Sequence, residues 1–240
     1  MSERLRSRPL DRRPADAGRR HFFRRAGIGL AGAGLLLAAC DDDDDDGGGG
    51  MMTPDTVSLG TGDAGVLNYA YALEQLEAAF YAQVQTGGYY ASASAAERSL
   101  FDDLEAHERA HREFFAAAIA TVATPIPGLE VDFSSVDFDS RESVLATAQT
   151  FEDLGVSAYN GAGRLLTNPD FLTIAGKIVS VEARHAAAIR SLNSDDPTAF
   201  AGNDVVTVDN GLDVARTPAE VLSAASAFIV TPIDASGLPS

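Results

Sequence analysis

Two segments of the chain repeat one pattern of apolar and polar positions. Leu100, Leu104, Glu108, His111, Phe115 and Ala118 recur 74 residues later as Ile174, Ile178, Glu182, His185, Ile189 and Leu192. Steps of four, four, three, four and three trace one face of an α-helix. That face is apolar except at its centre, where each segment sets a carboxylate and an imidazole three residues apart, one turn from each other. An earlier helical stripe precedes each segment. Leu67, Tyr71, Glu74, Ala78 and Tyr81 form the first, and Leu145, Ala148, Glu152, Gly155 and Tyr159 the second. Each stripe has one inward carboxylate, with a tyrosine seven residues beyond it on the same face. The chain therefore reads twice as a lone Glu followed by Glu-x-x-His.

Helix signals between the stripes bound four helices. The first runs from Asp63 or Ala64 to Gln85 and is stopped by Gly87-Gly88. Ser92 or Ser94 can cap the second, which ends near Val122. Residues 123–140 hold Pro125, Pro127 and Gly128, then alternating Val131, Phe133, Val136 and Phe138. This stretch is long for a loop and predicts a crossover from one end of a bundle to the other. Ser140 caps a third helix from Arg141 to Leu166, and Asn168-Pro169-Asp170 turns into a fourth that ends near Leu192. Residues 193–216 read as irregular, with short extended pieces such as Val205-Val206-Thr207-Val208. Thr217-Pro218-Ala219-Glu220 is a helix start, with a cap, Pro at the first position and Glu at the third. It predicts a short helix over 217–229. Residues 51–62 read as an irregular lead-in and the last ten as a tail. The expected fold is all-α: a four-helix bundle over 63–194 with a long crossover between helices 2 and 3, then a C-terminal extension, 195–240.

Burying carboxylates and imidazoles in a core is costly unless something pairs with them. No inward Lys or Arg accompanies these, so the pattern points to metal, which both side-chain types ligate. The candidate ligands are Glu74, Glu108, His111, Glu152, Glu182 and His185. Glu77 lies near the same face and is the alternative to Glu74. The repeat favours Glu74, because Glu152 aligns with it while Glu77 aligns with Gly155. Tyr81 and Tyr159 are expected either to steady the carboxylates or to serve as core aromatics with a polar tip. Glu105 and His107 are expected in solvent. His107-Glu108-Arg109-Ala110-His111 also spells a zinc-protease string, with His107 and His111 as ligands and Glu108 as base. That reading leaves Glu74, Glu152, Glu182 and His185 without a role. A bundle that binds metal or another ligand without turnover is the non-enzymatic alternative.

Charge changes the picture at the amino terminus. The formal net charge is −17, yet residues 1–39 carry nine Arg against three acids, leaving −23 on the remainder. Arg19-Arg20-His21-Phe22-Phe23-Arg24 resembles the twin-arginine export motif, with Gly18 where Ser or Thr is common. Ala26 to Ala39 is apolar but shorter than the about 20 residues a bilayer span takes. Leu37-Ala38-Ala39-Cys40 is similar to a bacterial lipoprotein cleavage site. That resemblance implies a signal peptide over 1–39 and lipid on Cys40, the sole cysteine, so no intramolecular disulfide is available. Asp41–Asp46 and Gly47–Gly50 read as a flexible tether within 40–62. The expected location is the outer face of the cytoplasmic (inner) membrane, by lipid anchor. The acidic remainder argues against nucleic acid as a partner.

Short link, long crossover, short link, with two Glu-x-x-His helices, resembles the ferritin-like superfamily and its di-iron and di-manganese bundles. Leu73–Tyr81 (LEQLEAAFY), Phe151–Tyr159 (FEDLGVSAY), Leu212-Asp213-Val214 and Pro218–Val221 are similar to one bacterial ferritin-like domain family, which includes desiccation-related proteins. The resemblance implies that Glu74, Glu108 and His111 serve one metal and Glu152, Glu182 and His185 the other, with Glu108 and Glu182 bridging. It further implies two iron or manganese ions per bundle, and oxidation of Fe(II) or consumption of O2 or peroxide in stress protection. The chain carries no flavin or nucleotide motif and no rubredoxin-like Cys cluster.

Overall fold

The computed structural model describes residues 56–239. The expected signal segment, Arg19, Arg20, Cys40 and the Asp/Gly tether lie outside the described residues. Six helices follow in order: α1 (Gly62–Val84), α2 (Gly88–Ser92), α3 (Ala95–Ile119), α4 (Arg141–Ala162), α5 (Pro169–Asn193) and α6 (Pro218–Ala225). Two-residue strands, β1 (Val57–Ser58) and β2 (Ile233–Asp234), pair in parallel.

Composition sorts the helices into inner and outer pairs. Beyond Asp63, the charged residues of α1 are Glu74 and Glu77, and α1 is buried on nearly every face. The middle and carboxy-terminal parts of α4 are buried in the same way. A helix that is apolar all round belongs in an interior. Helices α3 and α5 keep charged, exposed faces and pack along α1 and α4 respectively. The result is the all-α four-helix bundle that the stripes predict.

Caps set the helix starts. Ser94 and Glu97 form a capping box on α3, the Ser140 side chain accepts from Ser143 N, and Asn168 accepts from Asp170 N ahead of Pro169. Thr217 and Glu220 form the second capping box. The helix ends are less legible. The second predicted helix stops at Ile119, and a short α2 precedes it, its Gly88 N–H donating 2.8 Å to Asp139. The third closes at Ala162 in a 3-10 turn over Gly163–Leu165, and the helix begun at Pro218 closes at Ala225.

The crossover is fastened to α1 by two buried amides. Asn68 Oδ1 accepts from Ile126 N at 3.1 Å, and Gln75 Oε1 accepts from Leu129 N at 2.9 Å. The expected tail is instead structured, since β2 hydrogen-bonds the lead-in through β1. Upstream of α6, the extension crosses α4 at Gly161. A Cβ there would lie 1.7 Å from Arg216 O, so only glycine admits the crossing. Arg216 N donates to Ser157 O at 3.0 Å, and Arg190 ties the extension down through Asp153 and Asp204. Among the described residues, no helix is long and apolar enough to cross a membrane.

Candidate metal centre

Midway along the bundle, the four helices bring the two Glu-x-x-His pairs and the two lone carboxylates together. Glu74, Glu108, Glu152 and Glu182 are each 0 % exposed. Glu74, Glu108, His111 and Glu182 form one group whose potential ligand atoms lie within 4.8 Å of one another. Glu108, Glu152, Glu182 and His185 form a second group on the same terms. Glu108 and Glu182, on α3 and α5, belong to both. Each group draws on both halves of the repeat.

His111 Nδ1 and Glu108 Oε2 pair at 3.3 Å, but most of the other atoms that face the centre approach without pairing. His185 Nδ1 is 2.8 Å from Glu108 Oε1, yet both atoms lack a hydrogen-bond partner among the described residues. The distance is short, but the geometry is not that of a hydrogen bond. His111 Nδ1 lies 2.9 Å from Glu182 Oε1, and both Glu182 oxygens are likewise unpartnered. Glu74 Oε2 and Glu152 Oε2 complete the orphaned carboxylate oxygens among the described residues. Leaving a buried carboxylate oxygen unsatisfied costs several times a net hydrogen bond. Lone pairs that converge on shared points rather than on each other are what a cation site requires, so the donor set fits a bound metal.

Protonation follows each group's neighbours. Burial works to raise the Glu108 carboxyl, but the His111 and His185 imidazoles outweigh it and hold it at about 2. Burial also opposes charge on His111, yet Glu108, Glu182 and Glu74 hold its pKa up at about 12. His185 is raised to about 12 against the same opposition, by Glu108, Glu152 and Glu182. For Glu152, burial, with Glu108 and Glu182 adding to it, prevails over His185 and pushes it up to about 8. Glu74 is raised well above the usual carboxylate range, by burial and then by Glu182 and Glu108 against His111. Without metal, both imidazoles are thus held charged beside an ionised Glu108, while Glu74 and Glu152 are pushed toward keeping their protons.

The tyrosines steady carboxylates, but across the bundle. Seven residues of helix span about 10 Å of rise, too far for Tyr81 to reach Glu74 on its own helix. Tyr81 OH instead donates 2.5 Å to Glu152 Oε1 on α4. Reciprocally, Tyr159 OH donates to Glu74 Oε1 on α1. Each inner helix positions the other's ligand-type carboxylate, and each of those carboxylates keeps its second oxygen free.

Glu77 joins neither group. It is 3 % exposed and lies against Gly155, where a Cβ would stand 3.0 Å from its Oε1. Burial, then Glu108, Glu152, Glu182 and Glu74, raise its carboxyl well above the ordinary range. Glu105 pairs with Arg109 at 3.0 Å. His107 is exposed, as expected, but is not idle. Its ring stacks on His185 at 5.2 Å between centroids, and its Nδ1 is 3.0 Å from His185 Nε2. It orients the imidazole from outside while Nδ1 faces the carboxylates. One signal was available: His107 immediately precedes Glu108, so it sits at the edge of the inward stripe. The zinc-protease reading needs His107 and His111 on one ion, and His107 belongs to neither group. Buried Arg190 does not offset the cluster, because Asp153 and Asp204 occupy it.

No curated protein matches the chain. The family model described as the ferritin-like domain matches residues 62–195, from the start of α1 to just beyond α5. That span contains both groups of converging carboxylates and imidazoles, and the chain belongs to the ferritin-like domain family.

Proposed function

We propose that the protein is a di-metal carboxylate protein, with Glu74, Glu108 and His111 on one ion, Glu152, Glu182 and His185 on the other, and Glu108 and Glu182 bridging. The observation that carries this reading is the set of orphaned buried oxygens that Glu108 and Glu182 share between two overlapping groups. Charge is consistent with it: two divalent ions would carry the four positive charges that four ionised carboxylates require, with both imidazoles neutral as ligands. The oxygen and imidazole donors suit iron and manganese. Bound there, such a pair supplies one-electron redox chemistry toward O2 or peroxide. The protein's part is to position and insulate. Tyr81 and Tyr159 hold Glu152 and Glu74 by one oxygen each, leaving the other to ligate. His107 fixes the His185 ring. The bundle interior excludes bulk water. In the metal-free core, burial and the neighbouring carboxylates hold the Glu77 carboxyl well above its ordinary range.

We also propose export and a lipid anchor at Cys40, supported by the order of Arg19-Arg20, the apolar Ala26–Ala39 and Leu37–Cys40. A role in stress protection follows from oxidation of Fe(II) or removal of peroxide at the envelope.

Metal analysis of the purified chain tests the centre. Wild type is expected to hold about two equivalents of iron or manganese, a Glu108→Ala/Glu182→Ala variant to lose them, and His107→Ala to retain metal. One zinc, lost from His107→Ala but kept by the double variant, would overturn the reading. A folded wild type that takes up no metal under anaerobic iron or manganese would do the same.

A further inference from the structure

The repeat that builds the centre is broken at the two ends of the bundle. In α1 and α4 the repeat offset is 78 residues, Glu74 to Glu152, and in α3 and α5 it is 74, Glu108 to Glu182. Phe80 therefore corresponds to Ala158, and Phe101 to Ala175. Phe80 and Phe101 are fully buried and lie against Tyr81, with ring centroids 5.2 and 6.2 Å from its own. They fill the core beside Tyr81. Beside Tyr159, where the repeat would supply two more rings, stand two alanines. A cavity lies there, lined by both.

The cavity is almost wholly apolar and offers about 30 Å³, room for a diatomic molecule. Its inner wall is Tyr159, whose hydroxyl donates to Glu74. Phe115, one turn past His111, lies 6.3 Å from Tyr159 between ring centroids. Phe114 also lines the cavity and is 39 % exposed, so the space reaches toward solvent. Water is poorly served inside, since it needs two to four polar partners. Tyr159's hydroxyl is committed to Glu74, which leaves Tyr69's, buried and unpartnered among the described residues, as a single polar group. Hydrogen peroxide would leave most of its hydrogen bonds unmade. Dioxygen has none to lose and prefers apolar surroundings to water.

We propose that this cavity is a dioxygen-binding site that holds the gas one tyrosine away from the candidate ligands and admits O2 in preference to peroxide. The proposal rests on the di-metal reading above. Xenon, apolar and compact, probes it directly. The full chain, with and without metal, is examined under xenon pressure by ¹²⁹Xe NMR, beside Ala175→Phe, which restores the ring present at the other end. Ala175→Leu is the milder filling variant should the phenylalanine disturb folding. A parallel assay compares Fe(II) oxidation by O2 with that by hydrogen peroxide. Wild type is expected to take up xenon whether or not metal is present, and the filled variants to lose it. The ratio of O2-driven to peroxide-driven rate is expected to fall several-fold in the filled variants. Absence of xenon uptake in a metal-loaded wild type that oxidises Fe(II) with O2 would overturn the cavity site alone. Xenon uptake lost on filling with an unchanged rate ratio would overturn the delivery role. A wild type that takes up xenon but no metal would overturn the di-metal reading, and O2 supply to it as well.

Discussion

Replacing Glu77 by Gln should stabilise the metal-free protein, by an amount that grows with pH. Glu77 is 3 % exposed and forms no hydrogen bond among the described residues. Burial, then four neighbouring carboxylates, raise its folded-state pKa well above 4.5. An acid so shifted contributes stability that is fully present below the unfolded pKa and is lost as pH rises through the folded pKa. Each pH unit in that window costs about 1.4 kcal/mol. From the unfolded value to pH 7 is about 2.5 units, so the upper bound at neutral pH is about 3.4 kcal/mol. Gln keeps the shape, cannot ionise, and offers amide hydrogens to the surrounding oxygens. Urea unfolding of metal-stripped wild type and Glu77→Gln at pH 5, 6 and 7 measures the difference. The advantage of the variant should be small at pH 5 and grow toward pH 7, within that bound. A difference independent of pH, or one that shrinks as pH rises, would refute the argument that Glu77 carries its proton into the folded core.

Chelation should lower the melting temperature. Free metal at a hundredfold over its dissociation constant contributes about 2.7 kcal/mol per site, and each kcal/mol moves a domain of this size by about 2–4 °C. Calorimetry with and without chelator reads the shift. Tyr159→Phe leaves Glu74 Oε1 without its donor, which should cost about 1–3 kcal/mol in the metal-free protein and roughly 10- to 100-fold in metal affinity, read by denaturant unfolding and metal titration. Gly161→Ala drives a methyl into Arg216 O and should cost at least about 1–3 kcal/mol. Limited proteolysis should then cut residues 195–217 faster than in wild type.

The bundle was legible because a buried helix face must be apolar every three or four residues, and polar exceptions such as Glu108 and His111 stand out against it. The same logic pointed to all six residues that the fold brings together. Ser140 and Thr217, and Ser94 as one of two candidates with Ser92, marked helix starts because their side chains satisfy amides that a helix leaves bare. Facing inward, however, does not say toward what. The stripe placed Tyr81 over Glu74, while the partner helix put Glu152 within its reach. Glu77 looked like a second option for Glu74 until Gly155, opposite it, gave its carboxyl a recess of its own. His107 read as solvated because nothing local shows that α5 brings His185 beneath it. Strands as short as Val57–Ser58 and Ile233–Asp234 have no periodicity to detect, and their pairing depends on a closure spanning the whole bundle.

The exchanged tyrosines bear on how such a centre could arise and change. Tyr81 serves Glu152 and Tyr159 serves Glu74, so neither helical hairpin completes its half of the site alone. Two copies of one ancestral hairpin, meeting about a twofold axis, would assemble the same arrangement as a self-complementary dimer. In that dimer every substitution appears twice, and both ends are full or both hollow. Fusion through the crossover removes that constraint. One end can keep its phenylalanines as ballast while the other exchanges them for alanines, and a symmetric scaffold gains a front and a back.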